Sequence, residues 1–437
     1  MTDSIWANTV SLPSFPRLEG DVKKDVLIIG GGFAGILCAY HLSQADVDYA
    51  LIEANRICHG VTRNTTAKIT SQHTLVYHKL IREFGADTAR NYWEANEAAL
   101  QLYRTLAQSV SCDFEQKDNY IYSVNSRDKL EKELRALEQI GVPAQFAERL
   151  PLPFPVAGSI RFRNQAQFHP LKFVSAIVKG LNIYEDTTAR AFLENTVLTD
   201  YGKITASKII IATHYPIINK HGAYFLKMHQ ERSYVLALEH APNIDEMYLD
   251  EAQTGFSFRS YGNQLLLGGS SHRTGKTGRG WAALETFYKS YYPKAHEVSR
   301  WATQDCMTLD GMPYIGRYSK GLPNVYVATG FNKWGMTSSM VAAMILSNLI
   351  QEKENPYAKI FSPSRTILHP QLFANILEST TNLITFRKPR CPHMGCALKW
   401  NSQEHSWDCP CHGSRFTKDG KLLDNPATGD LKKSGKP

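Results

Sequence analysis

A chain of 437 residues exceeds what one small core organises, so two or three domains are the default. Hydrophobic residues make up 43% and charged residues 21%, an ordinary globular composition that excludes disordered and fibrous classes. The net charge of +8 is spread along the chain and shows no aromatic-interleaved basic surface for nucleic acid. Its one modest cluster, Lys418, Lys421, Lys432, Lys433 and Lys436, reads as a solvated tail before a docking patch for an acidic redox partner. MTDSIWANTV has no charged start leading into an apolar run, and no stretch reaches the roughly 18 apolar residues of a membrane span. A cytoplasmic protein without a membrane span is the expectation.

In chain order, Asp25–Ile29 is an apolar run of strand length that ends in Gly30-Gly31-Gly32-Phe33-Ala34-Gly35. A helical pattern, ILCAYHLSQ, follows, then a second strand, Tyr49–Ile52, and Glu53. Gly30 permits a tight turn, Gly32 a close approach of backbone to a pyrophosphate, and Gly35 close helix–strand packing. The helix N-terminus then offers free N–H groups and a favourable dipole to the phosphates. Glu53, 18 residues beyond Gly35, stands where a carboxylate bonds ribose hydroxyls. Tyr92–Leu106 and Asp128–Ile140 read as helices, the second stopped by Gly141. Pro170 suits the first turn of LKFVSAIVKGL. Lys208–Ala212 and Val325–Ala328 read as buried strands, and Phe256–Tyr261, Gly262-Asn263, Gln264–Leu267 as a two-residue hairpin. Ser339–Ile350 is apolar but short, a buried helix. The alternation predicts an α/β protein, with a boundary at the polar QEKENPYAKIFSPS, Gln351–Ser364.

Further segments decide between NAD and FAD. Asn55–Thr62 and Asn64–Thr70 follow Glu53, and near the other end stand Asp310-Gly311-Met312-Pro313-Tyr314-Ile315-Gly316-Arg317 and Ala328–Thr337 (ATGFNKWGMT). Together they resemble the FAD-dependent oxidoreductases of the D-amino-acid oxidase and glycine oxidase superfamily. That resemblance covers about Asp25 to Ile350. It implies a Rossmann-type FAD-binding domain over residues 22–350 and an inserted mixed-sheet, α+β substrate domain at about 114–163 and 228–302. It also implies FAD contacts at Gly30, Gly32, Gly35, Glu53, Thr66, Ala212, Thr213, Gly330, Gly335, Met336 and Thr337. His214 departs from it, standing where the family has glycine. Backbone N–H groups near Gly335-Met336-Thr337 would stabilise the negative charge of a reduced flavin. Candidates over the flavin face are Lys68 and His73 in TTAKITSQH, Arg232, Arg259, His272 and Arg273. Arginine is the natural clamp for a substrate carboxylate, and Lys68 is the preferred neighbour of flavin N5. No general base is assigned, because positioning and flavin electronics carry such hydride transfers.

Of the eight cysteines, Cys38, Cys58, Cys112 and Cys306 are scattered and read as small buried residues. Cys391, Cys396, Cys409 and Cys411 crowd together, which suggests a metal site before a disulfide framework. Cys391-Pro392-His393, fifteen residues, then Cys409-Pro410-Cys411-His412 give C-x-H…C-x-x-H. This resembles the Rieske [2Fe–2S] pattern, two cysteines on one iron and two histidines on the other. The same four side chains also suit tetrahedral zinc. CPHMGC and CPCHGS resemble the cluster loops of cytochrome-bc-type Rieske proteins. That resemblance implies a Cys396–Cys411 disulfide, a Ser414 hydroxyl bonded to a cluster sulfur, and Gly413 close to the cluster. Two departures stand out. Phe416 replaces a tyrosine donor, and only Leu383–Phe386 reads as a strand before the first loop, so the all-β module (383–437, after a 351–382 linker) looks truncated and expected to lean on the flavin domain. The strands Arg415–Thr417 and Lys421–Leu423 remain available as a hairpin.

The order of parts resembles glycine-oxidase-like flavoproteins fused to a Rieske domain. It implies oxidation of a small organic substrate, an amine or amino acid, with electrons leaving through the cluster to a redox partner or small acceptor. An oxygen-using oxidase with a vestigial cluster domain, or a redox sensor without a substrate, are the alternatives.

Overall fold

The computed structural model describes residues 3–218, 221–385 and 388–432. Lys433, Lys436 and Phe386 lie outside the described residues.

Two large sheets and a small one carry the chain. In the first, Val22–Ile29 lies between Tyr49–Ile52 and Gly202–Ile211, and Leu322–Thr329 continues beyond the latter, all parallel. Ile183–Tyr184 extends one side in parallel, and Tyr314–Ser319 closes the other as an antiparallel edge. Val26 to Ile29 are all buried, as strands covered on both faces must be. Helix Phe33–Ser43 packs against helix Gly335–Ile350. Both bury nearly every side chain, which is why their sequences are apolar all round rather than on one stripe.

The second sheet has nine strands. Its order is His296–Thr308, Met228–Glu239, Gln264–Arg273, Phe256–Tyr261, Met247–Asp250, Glu115–Ser123, Gly158–Gln167, Lys68–Ile69, with Gln145–Ala147 beside Gly158–Gln167. The hairpin turns at Gly262-Asn263 with Tyr261 opposite Gln264. Both inserted segments therefore contribute to one mixed sheet that covers the first domain. Cys38, Cys58, Cys112 and Cys306 are buried free thiols, and burial pushes each of them upward in pKa.

The C-terminal module differs from expectation at its start. Leu383 and Ile384 are the last turn of a helix, Pro370–Ile384, and not a strand. Proline at the first helical position and the His369 ring accepting from Gln371 N (3.4 Å) start that helix. It buries Leu372, Asn375 and Asn382 and leaves Phe373, Leu377 and Ile384 exposed. The sheet of this module is antiparallel, Lys399–Asn401, Ser406–Asp408, Arg415–Thr417 and Leu422–Asp424, and all of it follows Cys391. The polar stretch before it is anchored. Arg365 forms a buried ion pair with Asp310 (2.9 Å), and Lys227 donates to the Pro363 carbonyl (2.9 Å). Among the described residues no helix is long and apolar enough to cross a membrane.

Candidate functional site

A cavity of about 1110 Å³ runs from the glycine turn to the N-terminus of helix Gly335–Ile350. That exceeds the roughly 300–1,000 Å³ of an ordinary small-molecule pocket and suits an extended dinucleotide. At its first end the backbone is in contact with itself. A Cβ on Gly35 would lie 1.9 Å from the Gly30 carbonyl oxygen, and one on Gly30 (φ +111°) 2.5 Å from the Ala212 oxygen. Gly31 N–H donates to Glu53 Oε2 (2.7 Å) and Asn55 N–H to Oε1 (3.0 Å). Burial raises the Glu53 pKa, and these N–H bonds hold the rise back. The residues present thus fit an FAD.

Gly30, Gly32, Glu53, Thr66, Ala212, Thr213, Gly335 and Met336 line the cavity. Gly35, Gly330 and Thr337 support it from behind. Gly330 (φ +71°) leaves room for Thr308, whose Cγ2 would be 2.3 Å from an added Cβ. The Thr337 hydroxyl donates to the Thr70 carbonyl (3.2 Å) and meets His73 Nε2 (3.0 Å). His73 stacks on Trp334 (centroids 4.6 Å apart), and burial takes its pKa down to about 3, so it is neutral.

Of the catalytic candidates, Lys68 lines the cavity, and burial followed by the Arg259 charge lowers its ammonium to about 7. Arg232, Arg259 and His272 do not line it. Arg259 donates to the carbonyls of Thr66 and Ala67 and fixes the loop that carries Lys68. His272 Nε2 meets Tyr234 Oη (2.9 Å). Arg232 pairs with Glu404 of the C-terminal module. Each of the three is engaged by protein partners and none lines the cavity, although Arg259 Nε and Nη2 are buried without a hydrogen-bond partner.

The side chains that do face the cavity from this sheet alternate along the strands. His229, Glu231 and Ser233 come from Met228–Glu239, and Thr303, Asp305 and Met307 from His296–Thr308. Glu231 is held by Lys333 (2.8 Å) and His229 Nε2 (3.4 Å) and accepts from Gln253 Nε2. Burial raises its pKa, but His229 and Lys333 outweigh that and bring it to about 2. These residues were not singled out from the sequence.

The residues between them point the other way, to the cluster loops. Cys391, His393, Cys409 and His412 come together there. The two loops share one hydrogen-bond pattern, each cysteine N–H donating to the carbonyl five residues on and each glycine, Gly395 or Gly413, donating back to its cysteine carbonyl (2.8–2.9 Å). Both glycines have positive φ, 78° and 90°. Cys396 and Cys411 are joined as a disulfide. Nδ1 of His393 and Nδ1 of His412 are 3.3 Å apart. Bonds of about 2.1 Å at a tetrahedral metal give a ligand–ligand edge of about 3.4 Å, so the pair is spaced for one ion. Burial lowers the two imidazoles to about 4 and about 3, the neutral form that ligates. The Cys391 thiol is brought to about 7 by a hydrogen bond with Cys409, against burial, and then by the Ser414 hydroxyl and the N–H groups of His393 and Met394. These side chains fit a two-cysteine, two-histidine cluster.

Four consecutive carbonyls of the second loop are bonded to the flavin-domain sheet. Arg273 donates to Pro410 (3.0 Å) and Cys411 (3.1 Å), Gln230 to His412 (2.7 Å), and Gln304 to Gly413 (2.9 Å). A Cβ on Gly413 would lie 2.6 Å from Gln230 Cβ, so that glycine serves the approach to the sheet. Asn425 donates to the carbonyls of Thr213 and Tyr215, and Leu422–Asn425 also line the cavity. The C-terminal module thus leans on the flavin domain.

Phe416 is fully buried beside Cys391 and Cys409 and brings no donor to them. Phe416→Tyr is expected to raise the cluster potential by about 60 mV, a tenfold preference for the reduced form. An EPR-monitored redox titration reads it, and an unchanged potential would show that a hydroxyl at this position does not reach the cluster.

A model of the FAD dependent oxidoreductase family matches residues 25–349, and a model of the Rieske [2Fe-2S] domain matches residues 376–434. The Rieske 2Fe-2S iron-sulfur protein YhfW of Bacillus subtilis (strain 168) is 36% identical, over 98% of this chain and 97% of its own. Gamma-glutamylputrescine oxidoreductase of Escherichia coli (strain K12) is 23% identical, over 82% of this chain and 92% of its own. The fold is similar to that of glycine oxidase from Geobacillus kaustophilus, with a TM-score of 0.66 at 19% identity over 79% of this chain and all of that one. The chain belongs to the FAD dependent oxidoreductase family and carries a C-terminal Rieske [2Fe–2S] domain, so that FAD and a [2Fe–2S] cluster are its cofactors.

Proposed function

We propose that this protein oxidises a small amine or amino acid at its flavin and passes the electrons singly, through the Rieske cluster, to a redox partner or small acceptor. The observation that carries this reading is one sheet with the cavity on one face and the cluster loops bonded to the other. Similarity to gamma-glutamylputrescine oxidoreductase and to glycine oxidase supports the substrate class. FAD supplies hydride acceptance at N5, and the cluster supplies one-electron transfer. The protein's part is to hold and orient. Gly30, Gly32 and the helix N-terminus hold the pyrophosphate, and Glu53 the ribose. Met336 and Thr337 begin a helix whose N-terminus faces developing negative charge. Lys68, half neutral near pH 7, can hold or release a proton beside the ring. Cys391 and Cys409 hold one iron, and His393 and His412 the other.

The test is anaerobic. The protein is purified without oxygen, its iron, zinc and flavin are measured, and visible and EPR spectra are recorded after adding amines and amino acids. Flavin bleaching followed by a reduced-cluster signal, lost in Cys409→Ser, is the expected result. Zinc without iron overturns it. So does stoichiometric peroxide, in air, that Cys409→Ser leaves unchanged.

A further inference from the structure

The sheet wall of the cavity carries a charge pattern opposite to that of a carboxylate clamp. Glu231 and Asp305 are direct partners on neighbouring antiparallel strands and project to the same face. Like charges placed so repel, and burial strengthens the repulsion. Glu231 is compensated by Lys333, His229 and Gln253. The Asp305 carboxylate has no hydrogen bond and no ion pair among the described residues, although it lines the cavity. Two other polar atoms on this wall are buried without a partner, His229 Nδ1 and Thr303 Oγ1, and His229 is only 8% exposed.

The counter-charge is placed at a cost. Asn332 and Lys333 both have left-handed backbones, φ 51° and 73°, a conformation that asparagine tolerates and lysine adopts only under strain. The Asn332 side chain holds that turn by accepting from Thr308 N (2.8 Å) and donating to the Gly330 carbonyl (2.6 Å). Lys333 pairs directly with Glu231 and also attracts Asp305, whose pKa burial nevertheless raises to about 6.

Of the basic side chains that line the cavity, Arg56 and Lys333 are engaged, while Lys68 and Lys79 have no ion pair among the described residues. Among the described residues Arg56 is the only arginine of the lining, and it is engaged by Glu185 (2.8 Å) and Ser14 Oγ (2.8 Å). Lys333 is taken by Glu231. Lys68 lines the same cavity, on the segment that Arg259 bonds at the Thr66 and Ala67 carbonyls.

We propose that Asp305, with the Glu231–Lys333 pair behind it and Thr303 and His229 beside it, binds an ammonium group, so that the substrate is a cationic amine. The proposal rests on the reading of the chain as an amine- or amino-acid-oxidising flavoenzyme and selects within it. An ammonium donates up to three hydrogen bonds, and the Asp305 carboxylate accepts them together with one flanking acceptor, the free His229 nitrogen on one side or the Thr303 hydroxyl on the other.

The experiment is calorimetric titration of the FAD-loaded, full-length protein with methylammonium chloride and, separately, sodium acetate at constant ionic strength. Binding of the cation, absence of acetate binding, and at least tenfold weaker cation binding in Asp305→Asn with its flavin content intact are expected. Acetate binding in place of the cation in wild type overturns the proposal without any variant. Equal cation affinity in a flavin-replete Asp305→Asn also overturns it. Anaerobic bleaching of the flavin by 1,4-diaminobutane is scored independently. If the cation binds as expected and no amine or amino acid bleaches the flavin, the recognition site stands and the oxidative reading falls. If amines bleach the flavin and Asp305→Asn changes nothing, the reverse holds.

Discussion

Arg232→Ala is expected to cost about 3–5 kcal/mol and to release the C-terminal module while flavin absorbance is retained. Arg232 and Glu404 are 4% and 0% exposed in their side chains and form a two-pronged pair, with Arg232 Nε 3.0 Å from Glu404 Oε1. Glu404 also accepts from Arg415 Nη2 (2.8 Å), which serves Asp408 and Asp424 as well. Removing Arg232 leaves one guanidinium for three carboxylates, two of them buried. A lower denaturation midpoint, cleavage between the modules by limited proteolysis and loss of the cluster signal report it. An unchanged midpoint sinks it. The same group gives a pH dependence. Burial raises the Glu404 pKa, but Arg232 and Arg415 outweigh it and bring it to about 2. The unfolded value is about 4.3, so this stabilisation is complete above that pH and is lost as pH falls through about 4 towards 2. At about 1.4 kcal/mol per unit the loss is on the order of 3 kcal/mol, and it is expected to shrink in Arg232→Ala.

Gly32→Ala and Gly35→Ala are expected to fail differently. At Gly35 the added Cβ meets backbone, the Gly30 oxygen at 1.9 Å, and no flexible side chain can yield. Helix Phe33–Ser43 would have to leave its strand, at more than the about 1–3 kcal/mol of ordinary overpacking, with loss of both fold and FAD. At Gly32 the backbone is extended (φ −80°, ψ −176°), and the nearest atom to a Cβ is Thr62 Oγ1 at 3.4 Å. That variant is expected to keep its circular dichroism and lose at least tenfold in FAD affinity, because the methyl occupies the pyrophosphate approach. Flavin absorbance per protein after dialysis decides it. Full FAD retention in Gly32→Ala would show that the phosphates do not pass over this residue.

Local signals made the first domain readable. Strand, glycine turn, helix and acidic residue lie within one short segment, and each element's chemistry agrees with the next. The same clarity extends to the cluster loops, where ligands and turn glycines are neighbours in sequence. What escaped was decided by face and by distance along the chain. Arg232 in HQERSYV is a candidate because arginine binds carboxylates, but on a strand the residue beside it, Glu231, is the one that faces the cavity. Nothing local says which of two alternating faces is inward when both are buried, one by a cofactor cavity and the other by a module well over a hundred residues away. Asp305 became visible only through its register with Glu231. The missed helix is a different case. His369-Pro370 starts Pro370–Ile384 by the same ring-nitrogen cap and proline first turn with which His169-Pro170 starts Pro170–Ile177. The signal was present, and the apolar LITF at the far end was given a strand's period because a sheet was expected there.

The four carbonyls from Pro410 to Gly413, each tied to Arg273, Gln230 or Gln304, fix how this protein can meet the outside world. A redox carrier on a free tether travels to its acceptor, and its throughput follows tether length and solvent viscosity. A loop moored at four successive points has no arc to travel. Under the proposed function, the inner transfer would be a fixed-distance event, indifferent to viscosity, and the diffusion in the cycle would belong to the acceptor, which would come to the cluster.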